Sequence, residues 1–351
     1  VYNNGMSKRK QKVVVALSGG KDSTASVVFL KEQDYDVQAM TMKLGIKGED
    51  QRFEKLRQLT QVLAVPLKII DMRTPFQEKV IDYFLRSYAA SLTPNPCVAC
   101  NNNIKFNLLL QEALKIQQAD FYATGHYAAK TRINGHYFLT EPQDRTKSQI
   151  YFLSMIGEEA LKRVIFPISA LTIEEVREKV QELPLVNKEE SQDVCFLHDK
   201  KLIDYLKKHL PKRYFKPGDF LDVSGNKIGK HKGAVYFTIG QRRGTGFSSD
   251  RILYVVKKDV QNNTVTLGEE KHLYADTLTV AKPVCWKGIK TGDVFNVKIR
   301  YMTPFSEVEI TEITKDHIKA KFAKPEKSVT PGQIGAFYQG DIIVAAGYIA
   351  L

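Results

Sequence analysis

A continuous apolar run, Val13 to Leu17, stops at Ser18-Gly19-Gly20, and a helical pattern follows from Ser23 to Glu32. Strand, tight loop and helix in that order open a parallel α/β sheet. A second strand, Val37 to Met42, a helix around Phe53 to Leu63 and a third strand, Leu67 to Asp71, continue the alternation, which is that of a doubly wound sheet. Helices near Phe76 to Ser91 and Phe106 to Gln117 and a buried strand, Phe121 to Thr124, extend it. Such sheets bind ligands outside the carboxyl ends of their strands. Ser18-Gly19-Gly20 and Gly125-His126-Tyr127 both fall at such ends, so they are expected to share one crevice.

After about Cys195 the pattern changes to short alternating segments with frequent Gly: Phe220 to Val223, Val235 to Ile239, Leu253 to Lys257, Thr264 to Leu267, Val294 to Arg300, Ser306 to Ile313 and Ile318 to Phe322. These predict a β-rich C-terminal half. The 351 residues therefore divide into an α/β catalytic domain, 1–197, a small β-rich central module, 198–269, and a C-terminal β-barrel-like domain, 270–351. Val1 to Gly5, ahead of Met6, stay outside the fold argument. No run approaches the ~18 apolar residues that span a bilayer, and Val1 to Lys12 has no apolar signal core, so a cytoplasmic protein with no membrane partner is expected. Lys and Arg outnumber Asp and Glu by 52 to 39, a formal net charge of +13. That surplus suits a polyanionic partner held through its phosphates.

In Ser18-Gly19-Gly20-Lys21-Asp22-Ser23 the glycines let backbone N–H groups approach phosphate oxygens, and the helix N-terminus adds its positive end. It is not a Walker A loop, which would need Gly where Val15 stands and Ser or Thr where Asp22 stands. The string resembles the SGGxDS loop of the N-type ATP pyrophosphatases, which cleave ATP between the α and β phosphates to adenylate a substrate. That implies ATP, with Mg²⁺ to neutralise its phosphates and Asp22 as a weak candidate ligand.

Thr93-Pro94-Asn95-Pro96-Cys97-Val98-Ala99-Cys100-Asn101, followed by Ile104-Lys105-Phe106, resembles the TPNPDxxCNxxIKF segment of the bacterial tRNA-specific 2-thiouridylases. The resemblance runs on through Ala123 to Tyr127, Lys147-Ser148-Gln149 with Tyr151-Phe152-Leu153, Val194-Cys195-Phe196, Gly240 to Gly244, Arg300-Tyr301 and Thr330 to Gln333. It implies adenylation of the C2 oxygen of the anticodon wobble uridine, then its replacement by sulfur. By the same resemblance Ala16, Leu17, the loop Ser18 to Ser23, Met42 and Gly125 hold ATP, and His126 lies beside it. Asn95 and Pro96 bracket the target base, and Cys97, Lys147, Ser148, Gln149, Arg300, Tyr301 and Gln333 match tRNA-contact positions.

Where the family has Asp, this chain has Cys97, which creates Cys97-x-x-Cys100 and, with Cys195, a set of three cysteines. Three thiolates can hold a 4Fe-4S cluster whose open iron takes hydrosulfide, and that is the expected sulfur route. The family's other version carries sulfur on a Cys195 persulfide with Cys100 resolving it. The donor is accordingly sulfide or a persulfide-donating sulfur carrier. A zinc site completed by His198, or a merely buried Cys97, remain open readings. Cys285, beside Trp286, reads as core packing. His126 is read as an active-site group, and Lys21 as either a phosphate contact or a solvent-facing side chain. The basic stretches Gly229 to Lys232 and Gln241 to Arg243 read as phosphate contacts. Two other functions fit the nucleotide loop or the charge alone: an ATP pyrophosphatase acting on a small amide or carboxylate, and a noncatalytic tRNA- or cluster-binding protein.

Overall fold

The computed structural model describes residues 9–186, 194–197, 202–286 and 288–350. The chain forms two compact units. One comprises Val1–Thr74, Asn101–Ile150 and Ile156–Gln192; the other comprises Pro75–Cys100, Tyr151–Met155 and Asp193–Leu351.

In the first unit, β1 (Lys12–Ala16), β2 (Asp36–Lys43), β3 (Leu67–Asp71), β4 (Phe121–Thr124) and β7 (Val164–Ile165) form one sheet in the order β3-β2-β1-β4-β7. Every pairing in it is parallel. The order reverses between β1 and β4, which makes the gap beyond their carboxyl ends the topological switch point. Val13, Val15 and Leu17 of the first strand and its exit are 2% exposed or less. They pack with Ala25, Val27 and Leu30 of helix α1 (Lys21–Glu32) and Phe53, Leu56 and Leu59 of helix α2 (Glu49–Val62). The helix Ile173–Val180 starts on a capping box, Thr172 with Glu175, and adds Val176 and Val180 to the same core. Strands β5 (Ala129–Ile133) and β6 (His136–Thr140), a hairpin turned at Asn134-Gly135, were not foreseen from the pattern.

In the second unit, β8 (Gly218–Leu221), β9 (Lys227–His231), β10 (Tyr254–Asp259) and β11 (Thr264–Gly268) form a four-stranded sheet ordered β10-β11-β8-β9. Strands β12 (Tyr274–Cys285), β13 (Val294–Lys298), β14 (Ser306–Ile313), β15 (His317–Lys327), β16 (Ile334–Gln339) and β17 (Ile342–Ile349) run in the order β12-β15-β14-β13-β16-β17. Pairing of β12 with β17 closes them into a barrel, which leaves no open edge among them. The expected strand Val235 to Ile239 is instead a single tight turn, Ala234–Tyr236. Gly233 and Gly240, at φ +140° and +87°, bend the chain out of the extended region on both sides. Val235 and Phe237 are buried all the same. The helix expected from Phe106 begins ten residues earlier, at Pro96, and runs through a π-helical stretch, Asn101–Leu108, to Lys115. Among the described residues no helix is long and apolar enough to cross a membrane.

Leu56, 1% exposed, lies where a Cβ on Gly19 would sit 3.3 Å from its Cδ2, so it backs the nucleotide loop as well as the core. Leu56→Ala is expected to lower stability by about 2–5 kcal/mol, read as a fall in the denaturant midpoint, with weaker ATP binding by calorimetry.

Candidate active site

The loop Ser18–Ser23 leaves β1 and enters α1 with Gly20 as the helix N-cap. A glycine there has no side chain to offer the first-turn N–H groups, which suits them to an anion. Gly19 takes φ +91°, a conformation that disfavours any side chain. Inside the loop the hydroxyls hold the shape. The Ser18 N–H donates to Ser23 Oγ at 3.2 Å, and the Gly20 N–H donates to Ser18 Oγ at 3.3 Å. Ser23 and Thr24 hydroxyls both donate to the Gly20 carbonyl, at 3.1 and 2.9 Å. Lys21 is 7% exposed, so of its two readings the solvent-facing one is wrong.

Gly125 follows β4 and lies against this loop: a Cβ on it would come within 2.5 Å of the Ser23 nitrogen and 2.6 Å of the Asp22 carbonyl carbon. Only glycine permits that approach. Tyr127, 3% exposed, points its hydroxyl at Asp22 Oδ1, 3.4 Å away. Its backbone is fixed by Gln149, whose Oε1 accepts the Tyr127 N–H at 2.9 Å and whose N–H donates to the Tyr127 carbonyl at 2.8 Å. Gln149 therefore has a structural task inside this unit. Lys147 and Ser148, which end the turn capped by Asp144, are half-buried beside it. His126 Nδ1 lies 2.9 Å from Thr124 Oγ1, and its ring tilts against Phe106 at 5.6 Å. Burial holds its pKa well below 6.5, and the Lys105 ammonium pushes it the same way, so the ring is neutral at neutral pH. Lys105 thus acts on a histidine of this unit.

After β2, Met42 gives its carbonyl to Arg52 at 2.8 Å. The buried Glu49 carboxylate, 6% exposed, accepts the Leu44 and Gly45 N–H groups at 2.7 and 2.8 Å and pairs with Arg52 at 3.3 Å. Glu49 and Arg52 so shape the short loop beyond Met42. Pattern reading missed both, because a Glu and an Arg in a charged helix start look like a solvated face.

In the second unit Asn95 is an N-cap: its Oδ1 accepts the Val98 N–H at 3.2 Å, and Pro96 takes the first helical position. Cys97, on the first turn, is exposed, and Cys100, one turn on, is buried at 8%. Cys195 is exposed in a turn closed by the Leu197 N–H on the Val194 carbonyl. The next residue, Phe196, is buried and packs on Phe84 and Tyr205, both at 5.3 Å, and on Phe76 at 6.1 Å. Among the described residues no three His, Cys, Asp or Glu side chains are gathered to hold a metal ion. Cys97, Cys100 and Cys195 are thus not gathered as a three-ligand group among the described residues, although Cys97 and Cys100, three residues apart on one helical turn, share a face. His198 lies outside the described residues.

Arg300 is turned inward, donating to the Ser328 carbonyl at 2.7 Å and to Thr330 Oγ1. Tyr301 packs on Phe152 at 4.6 Å, and Gln333 Nε2 donates to the Thr93 carbonyl at 2.8 Å. In the basic stretches, Lys230 pairs with Asp219 at 2.5 Å and His231 is buried, while Arg242 and Arg243 are exposed. Cys285 is exposed on β12 and Trp286 is buried, so the tryptophan alone meets the core-packing expectation.

The sequence matches the tRNA methyl transferase HUP domain over residues 11–199, the tRNA methyl transferase PRC-barrel domain over 203–269 and the aminomethyltransferase beta-barrel domain over 259–349. It is 39% identical to the tRNA-specific 2-thiouridylase MnmA of Treponema denticola over 96% of this chain and 97% of that protein. The chain belongs to the tRNA-specific 2-thiouridylase family. The MnmA of Clostridioides difficile is 37% identical over 97% of this chain and 98% of its own length. Among solved structures, the U34-tRNA thiolase NcsA from Methanococcus maripaludis with its 4Fe-4S cluster aligns at TM-score 0.36 and 19% identity. It covers 58% of this chain and 69% of that one, too distant a likeness to bear on the argument.

Gly125→Ala is expected to lower the stability of this 2-thiouridylase by about 1–3 kcal/mol through overpacking, and to weaken ATP binding, both read by thermal melts with and without nucleotide. His126 stays neutral in the fold below the pH at which it protonates in the unfolded chain. Its contribution is therefore present above about pH 6.5 and lost as pH falls further. His126→Gln should flatten the fall in melting temperature between pH 7.5 and pH 5.5 that the unaltered protein shows.

Proposed function

We propose that the chain is a tRNA-uridine 2-sulfurtransferase that adenylates the C2 oxygen of the anticodon wobble uridine and exchanges that oxygen for sulfur. The observation that carries the reading is the Ser18–Ser23 loop at the switch point of the parallel sheet, held against a glycine that nothing else could replace. Membership of the 2-thiouridylase family over nearly the whole length supports it. We also propose the division into a catalytic domain, 1–197, a tRNA-contacting module, 198–269, and a barrel domain, 270–351, supported by the three matched family segments. The enzyme works on tRNA in the cytoplasm.

ATP lies with its phosphates on the Ser18–Ser23 loop, accompanied by Mg²⁺. The uridine O2 bonds to the α-phosphorus, the bond to the β-phosphate breaks, and pyrophosphate leaves. The first-turn N–H groups of α1 steady the charge on the departing phosphates. Neutral His126 neither repels a cation nor donates a proton by being acidic; it serves as a hydrogen-bonding wall. For the second step the exposed Cys195 carries a persulfide received from a sulfur carrier. Its terminal sulfur bonds to C2. The Cys100 thiolate attacks the Cys195 sulfur, the sulfur–sulfur bond breaks toward the base, and AMP leaves with the former O2. A Cys100–Cys195 disulfide remains, which an external thiol must reduce. We take the relay as the first reading because exposed Cys195 is open to a sulfur carrier and the exchange asks for two thiols where a cluster asks for three. A 4Fe-4S cluster, if one were bound, would be held by Cys97, Cys100 and Cys195 and would supply an iron site for hydrosulfide.

With ATP and unmodified tRNA, AMP and pyrophosphate release should depend on tRNA, and 2-thiouridine should appear by mass spectrometry. Release driven instead by a small amide or carboxylate would identify a synthetase. Cys100→Ser and Cys195→Ser should keep adenylation and lose thiolation by a factor of at least ~10². Cys97→Ala should keep thiolation with a persulfide donor. Loss of both bound iron and thiolation in Cys97→Ala, in protein purified without oxygen, would restore the cluster.

A further inference from the structure

Lys258 is a buried cation that the proposed chemistry does not use. It is 5% exposed, and burial alone brings its pKa down to about 8. Taking an ammonium out of water is unfavourable by several kcal/mol unless its partners compensate. The partners here are modest. Its Nζ donates to the Leu92 carbonyl at 3.3 Å and lies 5.4 Å from the ring centre of Tyr88. The hydrogen bond that offsets its burial is the one to the Leu92 backbone.

What it holds is the run that leads into Asn95-Pro96-Cys97. The Val260 N–H donates to Ser91 Oγ at 2.8 Å, and Gln261 Nε2 donates to the Ala89 carbonyl at 2.8 Å. From the barrel, the Pro331 carbonyl accepts the Thr93 N–H at 2.9 Å, and Gln333 Nε2 donates to the Thr93 carbonyl at 2.8 Å. Gly332, at φ +91°, lets this loop approach so closely that a Cβ there would meet Leu92 Cβ and the Thr93 nitrogen at 2.9 Å. Five hydrogen bonds, three from the end of β10 and the turn after it and two from the loop ahead of β16, thus fix Ala89 to Thr93, and the residues that follow are the N-cap and first turn that carry Cys97 and Cys100.

We propose that Lys258, together with Gln333, is a positioning residue for sulfur insertion, holding the Leu92–Thr93 backbone so that the Asn95–Cys100 turn presents to the target uridine in one orientation. This rests on the proposed thiolation. A misplacement of about 1 Å at a reacting centre can lower a rate on the order of a hundredfold.

Lys258→Met and Gln333→Leu test it, with thiolation kinetics, tRNA affinity by filter binding, melting temperature and amide hydrogen exchange of the 89–95 segment. Lys258→Met is expected to lower kcat for thiolation by roughly tenfold or more and to speed exchange at the Thr93 amide. It should leave the tRNA Kd within about threefold and the melting temperature unchanged or raised. Lys258→Gln, which keeps a donor, should recover most of kcat. Unchanged kcat with unchanged exchange overturns the proposal, as does a Gln333→Leu defect that appears wholly as weaker tRNA binding. If the unaltered protein thiolates no tRNA, the functional reading fails by itself. The exchange measurement then still decides the interlock, which is overturned if protection of Thr93 is the same in both variants.

Discussion

The approach of Gly125 to the start of α1 is the contact on which the shape of the Ser18–Ser23 loop depends. Parallel strands β1 and β4 lie side by side at the point where the strand order reverses, and both end in loops that must pack against one helix N-terminus. Two loops and a helix end can close to backbone contact only if one of them carries no Cβ, and a methyl group at residue 125 would overlap Asp22 and Ser23. The close fit aims α1 and its unfilled N-cap at the crevice, and it places the Tyr127 hydroxyl near Asp22. The hydroxyl bonds among Ser18, Ser23 and Thr24 then keep the loop shaped without any ligand.

In the second unit, rigidity is built around the two-cysteine segment in another way. Cys97 and Cys100 stand on the first turn of their helix, whose cap is a single Asn-Pro pair. The segment before it is tied through Lys258, Val260 and Gln261 at the end of β10 and through Pro331 and Gln333 ahead of β16. Cys195 is exposed, but the adjacent Phe196 is wedged among Phe76, Phe84 and Tyr205. The exposed sulfur thus stands beside a buried ring that fixes its place in the fold. Several positions that resemble tRNA contacts, namely Gln149, Arg300 and Gln333, likewise spend side-chain bonds inside the fold. Any contribution they make to tRNA recognition acts through groups that also hold the structure together.

Much of this was legible in the chain. The apolar run into Ser18-Gly19-Gly20, the buried strand into Gly125 and the alternating strands of the second half follow from periodicity and turn chemistry, which are local properties. The Asn95-Pro96 pair is also a readable helix start, although the apolar pattern that begins at Phe106 obscured it. Glu49 and Arg52 could not be read, because their role depends on N–H groups of a loop that only the fold brings to them.

The sequence by itself determined the parallel α/β sheet, the glycine loop between β1 and α1 and the family, because strand, glycine loop and helix are specified by neighbours a few residues apart. Tertiary structure alone decided which groups are buried, and against what. The β10 strand shows why: a bulge between Val255 and Lys257 shifts the alternation by one residue, so that Val255 and Lys258 both face inward while Lys257 faces out. Two adjacent lysines look alike in a sequence. The ladder's register decides that one is solvated and the other lies against Leu92, because a period of two converts a one-residue slip into a change of face. The cysteines follow the same rule. Their spacing suggests a metal site, but whether three sulfurs converge on one point is a property of packing, and among the described residues no such group is gathered.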